Sequence, residues 1–365
     1  MSKVSDYGFT NAKLRARIGD IRSSSLIEDM MHASTLSEAV AKLDGTRHQH
    51  VADLYRQTGD LQQVELALLE DEVKLYADAV KHMPKAAADY VMVLLEKVEM
   101  DNLKSAIRLW YAGAVRHHHI QYRSAYISHK HMVHDIDYDK IMNASTWQEA
   151  LSGVRGTPYE PVMAACSEIS LADGGLFQLE IALDHLWFKQ VNDGLSKLKG
   201  EDRSIASAIN SVDVDLKNIL MLTRYGYYHH LGAKDLKSVM IPYGFIAEEA
   251  QATGALDSED PVAVMRDIVR RRYPKISDEI LRIRRTADDL TARDENGYQI
   301  LQIEAYLAKT RAQEYRKLLQ THPFSIGVSL CYFYISRQET ALISAVLSAK
   351  YYKWDEGKLR EELGI

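Results

Sequence analysis

The chain contains a partial copy of itself. Residues 31–46, MHASTLSEAVAKLDGT, align without a gap with residues 142–157, MNASTWQEALSGVRGT, and eight of the 16 positions are identical at an offset of 111 residues. A period of that size is far longer than the roughly 20 to 50 residues of tetratricopeptide, HEAT or similar solenoid units, so each copy marks a domain-sized module. Both copies carry a helix-start signature, Thr35-x-x-Glu38 and Thr146-x-x-Glu149, in which a hydroxyl and a carboxylate satisfy orphan amides. Both end in Gly-Thr, a helix stop.

The stretch after each copy repeats in layout rather than in letters. Leu61 to His82 has apolar residues at helical spacing, Pro84 breaks the chain, and Lys85 to Ala114 is helical again. Leu176 to Lys199, a break at Gly200-Glu201-Asp202, and Arg203 to Tyr228 form a second predicted hairpin; Tyr298 to Gln320, His322-Pro323 and Phe324 to Tyr352 form a third. The second helix of each carries a leucine-centred patch at Leu103, Leu216 and Leu342, which lies 19, 16 and 19 residues past the break. These leucines are read as packing residues inside each hairpin. Residues 252–261 offer the turn and helix start of a third copy. The expected fold is all-α, with three similar helical domains over 1–116, 117–230 and 231–365. They stand in a row or around a pseudo-three-fold axis; periodicity alone does not choose.

Composition agrees: only 7 prolines and 19 glycines interrupt 365 residues, too few for the many tight turns of an all-β chain. The formal net charge of -6 removes any global footprint for nucleic acid. Cys166 and Cys331 sit outside any CxxC pattern, which fits a reducing compartment without a zinc cage. The polar N-terminus shows no secretory signal. The least charged stretch, Phe324 to Lys350, is interrupted by Arg337 and Glu339, so no membrane span is expected.

Signatures of chemistry are scarce. No GxxxxGK[ST], GxGxxG or GxSxG is present, and no catalytic residue or cofactor site is assigned. Six histidines fall between 117 and 134, namely His117, His118, His119, His129, His131 and His134. Three consecutive histidines on a helix point about 100° apart and cannot share one metal. His131 and His134 fall on one face, yet no HExxH or spaced acidic partner accompanies them, so a solvated or interface helix end is preferred to a metal site. The densest positive region is Arg270, Arg271, Arg272 with Arg282, Arg284, Arg285; it reads either as a solvated helix face or as a docking face for an acidic protein partner. Tyrosine is abundant, 21 against 6 phenylalanines, and suits wet protein interfaces.

Three further stretches carry a family resemblance. Tyr7-Gly8-Phe9-Thr10-Asn11-Ala12-Lys13-Leu14-Arg15-Ala16-Arg17, Asp213-Val214-Asp215-Leu216-Lys217-Asn218-Ile219-Leu220, and Pro323-Phe324-Ser325-Ile326-Gly327-Val328 leading to Arg337-Gln338-Glu339 together resemble the C subunit of prokaryotic V/A-type rotary ATPases, the relative of the d subunit in vacuolar ATPases. The resemblance implies a funnel-shaped, non-catalytic central-rotor part without cofactor or metal. It would be peripheral on the cytoplasmic face of the membrane, seated on the proteolipid ring and receiving the central stalk, with membrane contact only through that ring. The family pattern favours an acidic residue followed by Asn-Leu in these helices. The first copy keeps it as Asp101-Asn102-Leu103, while Asp215 and Ala341 stand in the Asn place of the other two. Residues alone leave a second reading open, a soluble all-helical adaptor unrelated to any ATPase, and a more distant one, a His-dependent metalloenzyme.

Overall fold

A computed structural model of the chain describes residues 3–21, 23–118, 127–223, 225, 233–276 and 290–363. Helices α1 (Lys3–Gly19), α2 (Ser23–Met31), α3 (Leu36–Ala41) and α4 (Gln49–Thr58) precede a pair of long helices, α5 (Leu61–Val80) and α6 (Lys85–Trp110). Short helices α7 (Tyr138–Asn143), α8 (Trp147–Leu151), α9 (Glu160–Ala164) and α10 (Glu168–Gly174) precede a second long pair, α11 (Phe177–Lys197) and α12 (Gly200–Met221). After α13 (Ala233–Val239), α14 (Gly244–Thr253) and α15 (Pro261–Arg272) come α16 (Leu290–Thr321) and α17 (Gly327–Tyr351), then α18 (Glu356–Leu363). The fold is all-α; no strand occurs among the described residues.

Local chemistry explains the element ends. Thr35 and Thr146 each accept the amide of the glutamate three residues on, at 3.2 Å. The return bond from each glutamate reaches one residue beyond the expected cap, to the amides of Ser34 (2.7 Å) and Ser145 (2.8 Å). Gly45 and Gly156 close these copies at φ 69° and 78°, where a side chain would be strained. The third copy starts at Asp260, which accepts the Ala263 amide at 3.1 Å with Pro261 in the first helical position. Pro84 starts α6.

The chain divides into two compact units, residues 1–199 with 324–356, and residues 200–323 with 357–365. In the first, α6 packs on α5, α7 and α11, and α17 packs on α1, α2, α3 and α5. Its core gathers along the second half of α6, where Met100, Leu103, Ile107 and Trp110 meet Ile141, Trp147 and Tyr159. Trp110 stacks obliquely on Trp147 (4.9 Å) and donates its indole N–H to the Ala144 carbonyl. Truncating such a residue to alanine costs about 3–5 kcal/mol. In the second unit α12 packs on α14 and α16. Thus the second long helix of each pair lies against the first long helix of another pair: α6 on α11, α12 on α16, α17 on α5.

Candidate functional site

The second long helices carry a polar arrangement that recurs three times. On α6, Glu99 is fully buried and accepts the amides of Val133 and His134 (2.7 Å each), the Tyr159 hydroxyl (3.0 Å) and the His134 ring at Nδ1 (2.7 Å). One turn on, Asn102 clamps both backbone groups of Ser128, accepting its N–H at 3.0 Å and donating to its carbonyl at 2.9 Å. On α12, Asp215 accepts the Ile246 amide (2.9 Å) and the Tyr273 hydroxyl (3.1 Å), while Asn218 clamps Ile241 at 2.8 and 3.0 Å. The clamped residue lies five positions before the bound amide in both copies. On α17, Glu339 accepts from Arg47 Nε (2.7 Å) and pairs with His48 Nε2 (3.2 Å), and Leu342 occupies the clamp position.

The aromatic partners are repeats of one another. His48 follows the helix cap Thr35 by 13 residues, Tyr159 follows Thr146 by 13, and Tyr273 follows Asp260 by 13. Each capped segment is thereby clasped to a buried carboxylate on a second long helix. For the copy at Thr35 that helix is α17, at the far end of the chain.

Electrostatics differ between the clasps for a visible reason. Burial pushes the Glu99 carboxyl up, but the His134 ring and the backbone amides of His134 and Val133 hold it below the usual carboxylate range. Burial likewise acts on Glu339, and His48 and Arg47 reverse it to a net lowering. Asp215 meets mainly a neutral amide and a neutral hydroxyl, so burial prevails and its pKa is raised.

Two residues before each carboxylate, a charged side chain pairs with the neighbouring first long helix. Lys97 reaches Asp184 of α11 at 3.3 Å, Asp213 reaches Arg311 of α16 at 2.8 Å, and Arg337 reaches Glu72 of α5 at 3.4 Å. The position is shared; the sign is reversed in the second copy. Around the first pair, buried Lys104 adds a 2.8 Å contact to the same Asp184.

These contacts set the register of the three helices. Aligning Glu99, Asp215 and Glu339 matches Asn102 with Asn218, three residues beyond the position that the leucine-centred patches pair with it. In that register Leu103 corresponds to Ile219 and Ile343. Leu103 and Leu216 are buried, and Leu342 is half-buried beside buried Ile343. A shift of three residues keeps roughly the same helix face, so both registers share an apolar stripe.

The arginine and histidine clusters touch the clasps at two residues, Arg272 and His134. Arg270, Arg271 and Arg272 are exposed at the end of α15; Arg271 pairs with Glu249 at 2.6 Å, Arg270 lies 3.7 Å from Asp267, and Arg272 sits over the Phe245 and Tyr273 rings. Arg282, Arg284, Arg285 and His119 lie outside the described residues. His131 is exposed, His129 pairs with Asp139 at 3.3 Å, and His134 is engaged with Glu99. Among the described residues no group of three or more His, Cys, Asp or Glu side chains is arranged to hold a metal ion.

Such a chain is an all-helical repeat protein whose recurring buried polar groups join helix to helix. The profile of the ATP synthase (C/AC39) subunit family matches residues 10–362, and the chain belongs to that family. The family is a non-catalytic structural subunit of the ATPase complex. Among similar proteins, the A-type ATP synthase C subunit of Pyrococcus horikoshii is 23% identical over 99% of this chain and 91% of its own length. The C subunit of Pyrococcus abyssi is 23% identical over 94% of this chain and 86% of its own, and that of Methanosphaera stadtmanae is 21% identical over 88% and 78%. Among the described residues no helix is long and apolar enough to cross a membrane.

Proposed function

We propose that this protein is the C subunit of a V/A-type rotary ATPase, a socket that links the central stalk to the membrane proteolipid ring and transmits torque between them. Family membership supports the complex, and the thrice-repeated clasp and ion pair support the mechanical part. A coupling element must resist shear between its helices. Each second long helix is tied by a buried carboxylate to a capped segment and, one half-turn earlier, by an ion pair to another long helix, so relative sliding breaks both sets of contacts at once. The three modules over 1–116, 117–230 and 231–365, arranged around a pseudo-three-fold axis as a funnel on the cytoplasmic side, are part of this proposal. So is the assignment of the exposed Arg270–Arg272 end of α15, with Arg282, Arg284 and Arg285, to an acidic rotor partner. Leu103, Leu216 and Leu342 remain packing residues in it.

The test is purification of the tagged chain from its native membranes. Catalytic head, stalk and proteolipid subunits at fixed stoichiometry support the proposal; a chain recovered without them refutes it. Disrupting the ion pairs through Lys97→Ala, Asp213→Ala and Arg337→Ala together then leaves ATP hydrolysis in place and lowers ion transport per ATP. Equal loss of both activities contradicts a coupling role.

A further inference from the structure

The first clasp carries two titratable groups that the second lacks. Three residues before Glu99 stands Glu96, only 8% exposed, with no hydrogen-bond partner for Oε2. The corresponding residue before Asp215 is Val212. Directly after the Val133 amide bound by Glu99 comes His134; after the Ile246 amide bound by Asp215 comes Ala247. The acid and the imidazole are thus present together in one copy and absent together from the other, while the carboxylate, asparagine clamp and tyrosine are common to both. The clasp itself needs neither Glu96 nor His134.

We infer that Glu96, Glu99 and His134 form a proton-operated latch, holding residues 127–137 on α6 at mildly acidic pH and loosening as pH rises. The groups facing it are few. Tyr159 donates to Glu99 and stands edge-on to the His134 ring at 5.6 Å, and buried Tyr138 lies beside them. Asp184 of α11 is engaged by Lys97 and Lys104, Glu70 of α5 by Lys130, and Arg337 of α17 by Glu72 and Asp101. Among the described residues, His134 is the one cationic group within ion-pairing distance of either carboxylate.

Charge counting gives the direction. With Glu96 neutral, Glu99 ionised and His134 protonated, the cluster is neutral overall. Burial, opposed by His134, lifts Glu96 to about 7. The Glu99 hydrogen bond raises His134 above its usual value, against burial. Both groups bind protons more tightly folded than unfolded, so the latch loses stability as pH rises through those values. Loss of the first proton leaves one uncompensated buried negative charge, and loss of the second leaves two.

Hydrogen exchange on the full-length protein decides the matter. Protection of a peptide spanning 127–137, corrected for intrinsic exchange, is compared from pH 6 to 8.5 with that of a peptide spanning 241–250, which covers the clasp without the pair. The wild type is expected to lose at least tenfold of its protection relative to this reference. Glu96→Val, the side chain of the second copy, is expected to flatten the profile, and His134→Ala to lower protection at pH 6. A wild-type ratio constant within twofold overturns the latch by itself, whether or not the variants fold. A Glu96→Val profile that keeps the wild-type slope overturns it equally.

Discussion

Replacing Asn102 tests whether the clasp holds by hydrogen bonding or by volume. The side chain satisfies both the N–H and the C=O of Ser128, which is 1% exposed. Asn102→Ala leaves two buried backbone groups unpaired, at about 1–3 kcal/mol each, for a loss of about 2–5 kcal/mol after allowing for partial relaxation. Asn102→Leu supplies the residue that α17 carries at this position, Leu342, and fills most of the vacated space. It still leaves both groups unpaired, so it should cost nearly as much. The readout is exchange protection of residues 127–134, expected to fall between about 30-fold and 5,000-fold in both variants, since about 1.4 kcal/mol is tenfold. Protection of 241–246, clamped by Asn218, should stay unchanged. If Asn102→Leu keeps protection within tenfold of wild type while Asn102→Ala loses it, packing holds the segment and the hydrogen-bond argument is refuted.

Gly244 has φ 81°, and a Cβ there would stand 2.7 Å from Asp215 Oδ1, so Gly244→Ala should lower the melting temperature of residues 200–323 by several degrees; Gly59→Ala, at φ 65° with open space around it, should cost only about 1 kcal/mol of backbone strain. The two carboxylates of opposite shift should behave oppositely with pH. Glu339, held low, contributes stability that is present above the ordinary glutamate value and lost as pH falls through its lower folded value; Glu339→Gln should therefore cost about 3–5 kcal/mol at pH 7 and little in strong acid, by thermal unfolding. Asp215, held high, destabilises as pH rises through its folded value, so Asp215→Asn should flatten the stability profile on the alkaline side of the ordinary aspartate range.

Whether a feature is legible in the sequence depends on whether its signal is local. Helix starts at Thr35 and Thr146 and the break at Pro84 follow from residue chemistry within a turn or two, and sequence shows them; the stops expected at Gly45 and Gly156 fall earlier, at Ala41 and Leu151, and the two glycines shape the turns beyond. The clasps do not, because their recipients share no letters: Ser128 and Ile241 are held through backbone groups, which any residue provides. The aromatic partners are within reach of a sequence comparison. Two residues past the matched block, His48 and Tyr159 stand at the same offset of 111, but their unlike side chains do one job with different protonation chemistry. The leucine-centred patches put the α12 register three residues away because a helix shows nearly the same face after three steps. Asn218, the true counterpart of Asn102 where the leucine register sets Asp215, becomes evident only once Ile241 is in its grip.

The pairing of Arg47 and His48 with Glu339 also orders events in time. The two sides of that clasp are separated by 291 residues in the chain. At a synthesis rate of about 5–20 residues per second, the capped segment at Thr35 leaves the ribosome roughly 15–60 s before the helix that receives it exists. The clasps of Glu99 and Asp215, by contrast, join residues 60 and 58 positions apart, made within about 3–12 s of each other. The capped segment at Thr35 is therefore locked long after it is made, and a nascent chain keeps the face of α2 and α3 that packs on α17 exposed, or held by a chaperone, until α17 emerges.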